Sequence, residues 1–240
     1  MPVSRTERIF TSIYARNSWG DAESRSGTGS NIARTERLRA SLTRLLLDLG
    51  VRSILDLPCG DFNWMRLTEL PGIEYTGGDI VTGLIEENNS LYAQPGRRFL
   101  RLDMICDALP KADLIFCRDG LVHFSFSDIA RALRAMKESG STYLLTTTFT
   151  AHRRNKNIAT GEWRPLNLDL EPFHFPAPLQ TIADGPRLDG TAPDKALALY
   201  RLEDLSDRIG ELENRPRSIA IPLVVKRGLG KIRARLRKSR

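Results

Sequence analysis

The order of apolar and turn-forming segments predicts an α/β domain built on a mostly parallel sheet. Short β-prone runs alternate with helix-compatible segments from residue 52 to residue 149, a pattern that implies right-handed crossovers between parallel strands. Two of the runs stop at an acid beside glycine: Asp56 before Gly60, and Asp79 after Gly77 and Gly78. The chain has 240 residues, 41% apolar and 27% charged, enough for one sizeable core with elaborations. Three regions follow: 1–50 with N-terminal helices and a glycine-rich loop, 51–205 as the central domain, and 206–240 as an extension.

Residues 4–17 read as a short amphipathic helix, with Ser4 as N-cap and Ile9, Phe10 and Ile13 on one side. The loop Ser24-Arg25-Ser26-Gly27-Thr28-Gly29-Ser30 is either a linker or a lid of small and hydroxyl residues. Ile32, Leu38, Leu42, Leu45, Leu46 and Leu49 recur at helical spacing after Ser30 or Asn31 and stop at Gly50, which predicts a core-facing helix. Strands are then expected at 52–56, 74–79, 98–103, 113–118 and 142–149, with helices at 63–69, 82–90 and 126–138. Residues 150–195 carry six prolines between Pro165 and Pro193, with Trp163, Phe173 and Phe175 among them. Such a segment is neither regular helix nor central strand, and long ordered loops in compact domains usually serve function. Residues 195–202 return as a strand. A helix at 203–213 and a strand or apolar anchor at 219–225 complete the expectations.

A buried strand that ends at a carboxylate, turns on glycine and enters a helix-compatible segment is a nucleotide-binding arrangement. The string Asp56-Leu57-Pro58-Cys59-Gly60-Asp61-Phe62-Asn63-Trp64-Met65, with Asp79 about twenty residues on, resembles the class I S-adenosylmethionine-dependent methyltransferases, and within them a bacterial subgroup. The resemblance spans roughly residues 20–205. It departs from the family's Asp/Glu-x-Gly-x-Gly at Pro58, which stands where the first glycine is usual. It implies a Rossmann-like class I methyltransferase fold: a mostly parallel seven-stranded sheet, helices on both faces and a C-terminal antiparallel hairpin of 195–202 with part of 178–184. It also implies S-adenosyl-L-methionine as cofactor, bound at the carboxyl ends of the strands.

Carried onto this chain, the family pattern puts Asp56 near the cofactor's amino group, with Pro58, Cys59, Gly60 and Asp61 shaping the turn. Trp64 reads either as core or as a wall of the pocket. Asp79 matches the ribose ligand, with Ile80 beside it, and Asp103 and Met104 match the adenine contacts, Asp107 competing for that role. Arg118 and Asp119 close the fourth strand where cofactor and acceptor meet, or simply pair with each other. His123, among Leu121, Val122 and Phe124, is either a structural histidine or a general base for a hydroxyl acceptor. The catalytic candidates are therefore His123 and Asp119. His152 and His174 read as acceptor contacts or surface, and the segment 163–167 as an acceptor lid or an ordinary packed loop.

The net charge is +7, and the eight Lys and Arg of residues 226–240, without a single acid, account for all of it. With Leu229, Ile232 and Leu236 on one side, this tail predicts either peripheral contact with an anionic membrane or a solubilising appendage. Nucleic acid is a poorer partner because no aromatic interleaving accompanies the charge. Cys59, Cys106 and Cys117 form no CxxC pair, which suits reduced thiols in a cytoplasmic protein. The three histidines have no metal-ligand spacing, so no metal is expected. No run approaches the roughly 18 apolar residues of a membrane span, and the N-terminus has no signal-peptide core. The expected activity is methylation of a small-molecule or glycan-type hydroxyl. The alternatives are a nucleic-acid-binding protein or nucleic-acid methyltransferase working through the tail, and an NAD-dependent oxidoreductase, although Gly-x-Gly-x-x-Gly is absent.

Overall fold

The computed structural model describes residues 3–185 and 194–206. Five strands run in the order of the chain, β1 Ser53–Asp56, β2 Glu74–Asp79, β3 Arg97–Arg101, β4 Leu114–Cys117 and β5 Tyr143–Phe149. They pair in parallel as β3-β2-β1-β4-β5. The hairpin β6 Gln180–Ala183 and β7 Lys195–Arg201 then adds antiparallel through β7, giving the seven-stranded order β3-β2-β1-β4-β5-β7-β6. The order reverses at β1 and β4, and a crevice opens at the carboxyl ends of such neighbours. Every residue of β4 and six of the seven in β5 are buried, as expected of strands covered by helices on both faces.

α1 Arg5–Ala15 begins at Ser4, whose hydroxyl accepts from the amide of Glu7. Phe10 alone among its residues is buried. α2 Glu36–Asp48 buries Leu38, Leu42, Leu45 and Leu46, and Gly50 beyond it has φ 65°. It starts several residues later than expected. Residues 31–35 are turns, with Ile32 donating its amide to Glu23 at 2.7 Å and Asn31 Oδ1 accepting from the amide of Ala33 at 3.1 Å. α3 Thr82–Tyr92 and α4 Phe126–Glu138 lie where they were expected. α4 is capped by Ser125, which accepts from Asp128 N at 3.2 Å.

One expected helix is absent. Residues 63–69 form only a single 3-10 turn, Met65–Leu67. Phe62 before it sits at φ 55°, and the Asn63 amide group is drawn off to Glu23 and to the carbonyl of Ser30. No side chain caps the turn, and Pro71-Gly72 follow too closely for propagation. β5 carries three consecutive buried threonines whose hydroxyls all find partners: Cys117 O, Asp119 and Leu166 O. Among the described residues no helix is long and apolar enough to cross a membrane. The expectations for 207–213, 219–225 and the basic tail 226–240 lie outside the described residues.

Candidate functional site

The strand ends meet in a cavity of about 110 Å³. Asp56, Pro58, Cys59, Gly60, Trp64, Asp79, Ile80, Asp103, Met104, Arg118, Asp119 and His123 all line it. Asp61, grouped with them on sequence, does not. Its carboxylate accepts from Ser24 Oγ at 2.8 Å, the amide of Arg25 at 2.8 Å and Ser26 Oγ at 3.0 Å. Ser26 Oγ in turn accepts from the amide of Asp61 at 2.9 Å. The loop 24–30 is thereby tied to the motif turn, and Arg25, Ser26 and Ser30 join the cavity wall. Gly60, at φ 57°, has room for no side chain: a Cβ there would collide with Ser26 Oγ. The Leu57–Pro58 peptide is cis.

Two acids form the floor. Asp56 is 3% exposed and accepts from Tyr75 Oη at 2.6 Å, leaving its other oxygen for a ligand. Burial pushes its carboxyl up to about 7, against the Tyr75 hydrogen bond and the charge of Arg118. Asp79 accepts from Val81 N at 3.0 Å and Gly60 N at 3.3 Å. Burial still outweighs these bonds and carries it up to about 6. Asp103 caps its own turn, Oδ1 accepting from Ile105 N at 3.0 Å and Oδ2 from Ser4 Oγ at 3.4 Å. Asp107 stays outside the cavity, paired with Arg101 at 2.8 Å. α1 roofs the cavity with Thr6, Phe10 and Tyr14. It is latched by Glu7 to Arg101 at 2.9 Å and by Tyr14 Oη to Glu87 at 2.9 Å.

On the far side a second cavity shares Trp19, Ser26, Arg118, Asp119 and His123 with the first, and adds Phe149, Trp163, Asp184 and Lys195. Here a buried charge network appears that sequence reasoning missed. Arg118 donates through Nε and Nη2 to both oxygens of Asp184 at 2.9 Å, and its guanidinium lies over the Trp64 ring at 5.3 Å. Lys195 Nζ bridges Asp119 at 2.6 Å and Asp184 at 2.8 Å. Arg118 reaches Asp119 only at 3.6 Å. The one available signal was a lysine opening the apolar run Ala196–Tyr200; Asp184 offered none. Asp119 itself has φ 57°. Burial opposes its ionisation, but Lys195 and Arg118 together hold its carboxyl well below the usual range, so it is a poor proton acceptor.

His123 belongs to both cavities. Its Nδ1 lies 2.9 Å from the carbonyl of Glu162; a carbonyl only accepts, so Nδ1 carries the hydrogen and neutral Nε2 keeps its lone pair. Burial pulls the imidazole below its ordinary value, partly offset by the Glu162 bond and the charge of Asp119. The ring is therefore neutral near pH 7, and the Trp19 ring lies 5.3 Å from it. Burial raises the thiols of Cys59 and Cys117, which keeps both protonated and unreactive. Neither His152 nor His174 lines either cavity.

No protein-family model and no curated protein matches the chain. Solved structures do. The 1,6-didemethyltoxoflavin N1-methyltransferase of Burkholderia thailandensis, with bound 1,6-didemethyltoxoflavin and S-adenosylhomocysteine, aligns at TM-score 0.57 and 16% identity, over 84% of this chain and 92% of that one. Magnesium protoporphyrin IX methyltransferase of Synechocystis PCC 6803, with S-adenosylmethionine, aligns at 0.55 and 12%, over 84% and 99%. Human N-acetylserotonin methyltransferase aligns at 0.48 and 15%; there the chain spans 84% of itself but only 60% of that enzyme. The fold is that of the class I methyltransferases.

Proposed function

We propose that the chain is an S-adenosylmethionine-dependent methyltransferase acting on the hydroxyl of a small molecule or glycan. The observation that carries this is the placement of two buried acids, Asp56 and Asp79, in one cavity with the neutral imidazole of His123. The residues present fit the cofactor. Asp56 suits an ammonium, Asp79 a ribose diol, and Ile80, Leu102 and Met104 offer apolar walls to a purine, with Asp103 at its edge. When bound, the cofactor supplies an electrophilic methyl group on sulfur. Loop 24–30 and α1 would exclude water from it, and Arg118, pinned by Asp184, closes the end nearest the acceptor. The second cavity, walled by Trp19, Phe149 and Trp163, receives the acceptor. His123 Nε2 would take the acceptor's hydroxyl proton, and Asp119 and Lys195 would hold the surrounding field.

Two solved structures of this fold are methyltransferases of small molecules, which supports a small acceptor and favours neither the NAD nor the nucleic-acid alternative. We also propose cytoplasmic placement, with contact to anionic membrane through 226–240. Calorimetric titration of the chain with S-adenosylhomocysteine and, separately, NAD tests the assignment. Micromolar binding of the first and none of the second is expected; the reverse would overturn it.

A further inference from the structure

Arg164 is 6% exposed, yet among the described residues it pairs with no carboxylate. Its guanidinium donates to three main-chain carbonyls: Nε to Lys156 at 3.1 Å, Nη1 to Leu121 at 3.1 Å and Nη2 to Phe124 at 2.9 Å. It also lies over the Phe126 ring at 5.6 Å. A buried cation without a counter-ion is an expensive way to hold a loop, since a leucine or methionine would fill the space at no desolvation penalty. What an apolar side chain lacks is the fork that binds several carbonyls at once.

Two of those carbonyls, of Leu121 and Phe124, belong to the turn that bears His123. Besides the two guanidinium bonds, the amide of Arg164 donates to Val122 O at 3.2 Å and that of Gly161 to His123 O at 2.8 Å. All four carbonyls of residues 121–124 thus accept from Arg164 or Gly161. The same segment presents the Glu162 carbonyl to His123 Nδ1. Thr160 anchors it from behind, donating to Asp128 at 2.6 Å and accepting from Ser125 N at 3.0 Å. α1 closes against it so tightly that a Cβ on Gly161 would come within 2.5 Å of Ile9.

We propose that Arg164 is a positioning residue for His123: its forked grip on the 121–124 turn fixes the imidazole with Nδ1 on the Glu162 carbonyl and Nε2 toward the acceptor. The proposal rests on the reading of His123 as the acceptor's base. The charged groups around the ring are Asp119 at the end of β4, Lys195 at the start of β7 and Arg164 itself. Phe10 and Trp19 face it from α1 and the following loop as uncharged rings. Asp119 favours the protonated ring, while Lys195 and Arg164 disfavour it.

Nitrogen-15 NMR of the histidines in the full chain, with His123 assigned through His123→Gln, tests this without an acceptor. The wild type should show the Nδ1–H tautomer. Arg164→Met should give mixed tautomers and a titration moved to higher pH. Arg164→Lys, which keeps the charge and loses the fork, should give mixed tautomers with a smaller move. S-adenosylhomocysteine affinity should stay within about twofold in both, because neither touches Asp56 or Asp79. A wild-type Nε2–H tautomer overturns the proposal, as does an unchanged tautomer in a folded variant. Should neither variant fold, Arg164 is a scaffold residue and the positioning role fails. Loss of S-adenosylhomocysteine binding by the wild type would instead sink the functional reading and leave the tautomer result standing.

Discussion

Asp79 is held by two amide donors, Val81 N and Gly60 N, so its carboxylate is aimed before any ligand arrives. A charge-assisted bond to a ribose is worth on the order of 1.5–3 kcal/mol, so Asp79→Ala should weaken S-adenosylhomocysteine binding about 10- to 150-fold by calorimetry. Unchanged affinity would move the ribose elsewhere. His123 makes a different prediction, since it contributes to proton transfer and not to the cofactor. Once an acceptor is in hand, His123→Ala should lower kcat roughly 10²–10⁴-fold with cofactor affinity intact; a variant of full rate would remove the base. Asp56, Asp79 and His123 were legible because strand-end acids and a histidine past the fourth strand have fixed places in a parallel sheet. Lys195 and Asp184 were not, because their function arises only when the hairpin adds to β5, bringing residues 66 and 76 positions apart into contact. Arg118 and Asp119 looked like each other's partners, and the hairpin supplied better ones.

The elements that close the site are tied down by single acids. Asp61 accepts from Ser24, Arg25 and Ser26, so one carboxylate orders the loop over the cavity. Asp61→Ala should leave buried Ser24, 2% exposed, without its partner and loosen residues 24–26 by roughly 1–3 kcal/mol. S-adenosylhomocysteine should then dissociate faster in stopped flow, and limited proteolysis should cut the loop sooner. A dissociation rate equal to the wild type's would show that the loop does not retain the ligand. The strands were readable from apolar runs bounded by turns, and the hairpin from the resemblance to the methyltransferase fold. The segment 63–69 misled because its helix-compatible residues carry no cap, while the loop claims Asp61 and Asn63. The late start of α2 has the same origin: Glu23 takes the amides of Asn31 and Ile32. Local helix propensity loses to side-chain hydrogen bonding from the 21–30 loop at both places.

At the scale of the whole chain, the fold without 226–240 is close to neutral, so any electrostatic adhesion should reside in that stretch. Anionic vesicles should co-sediment with the full chain at low salt and release it at high salt, each basic residue contributing about 1 kcal/mol near the surface; no binding at low salt would leave the stretch without a membrane role. The stability of the fold should carry the signature of its site more directly. Burial pushes the carboxyls of Asp56 and Asp79 up to about 7 and about 6, above the ordinary carboxylate range. Between about pH 4 and 7 the folded chain therefore holds protons that the unfolded chain has released. Stability from these two groups is fully present below the unfolded value and is lost as pH rises through the folded ones. His123, lowered by burial, acts oppositely near neutrality, since its unfolded form binds the extra proton. A ligand that places an ammonium at Asp56 favours the ionised carboxyl and restores what rising pH removes. The gain in Tm on saturating S-adenosylhomocysteine should accordingly grow from pH 5.5 to pH 8, and Asp56→Asn, which cannot ionise, should flatten that growth. Differential scanning fluorimetry across the range decides it. A ligand-induced gain that is constant with pH in the wild type would mean that Asp56 does not meet the cationic end of the cofactor.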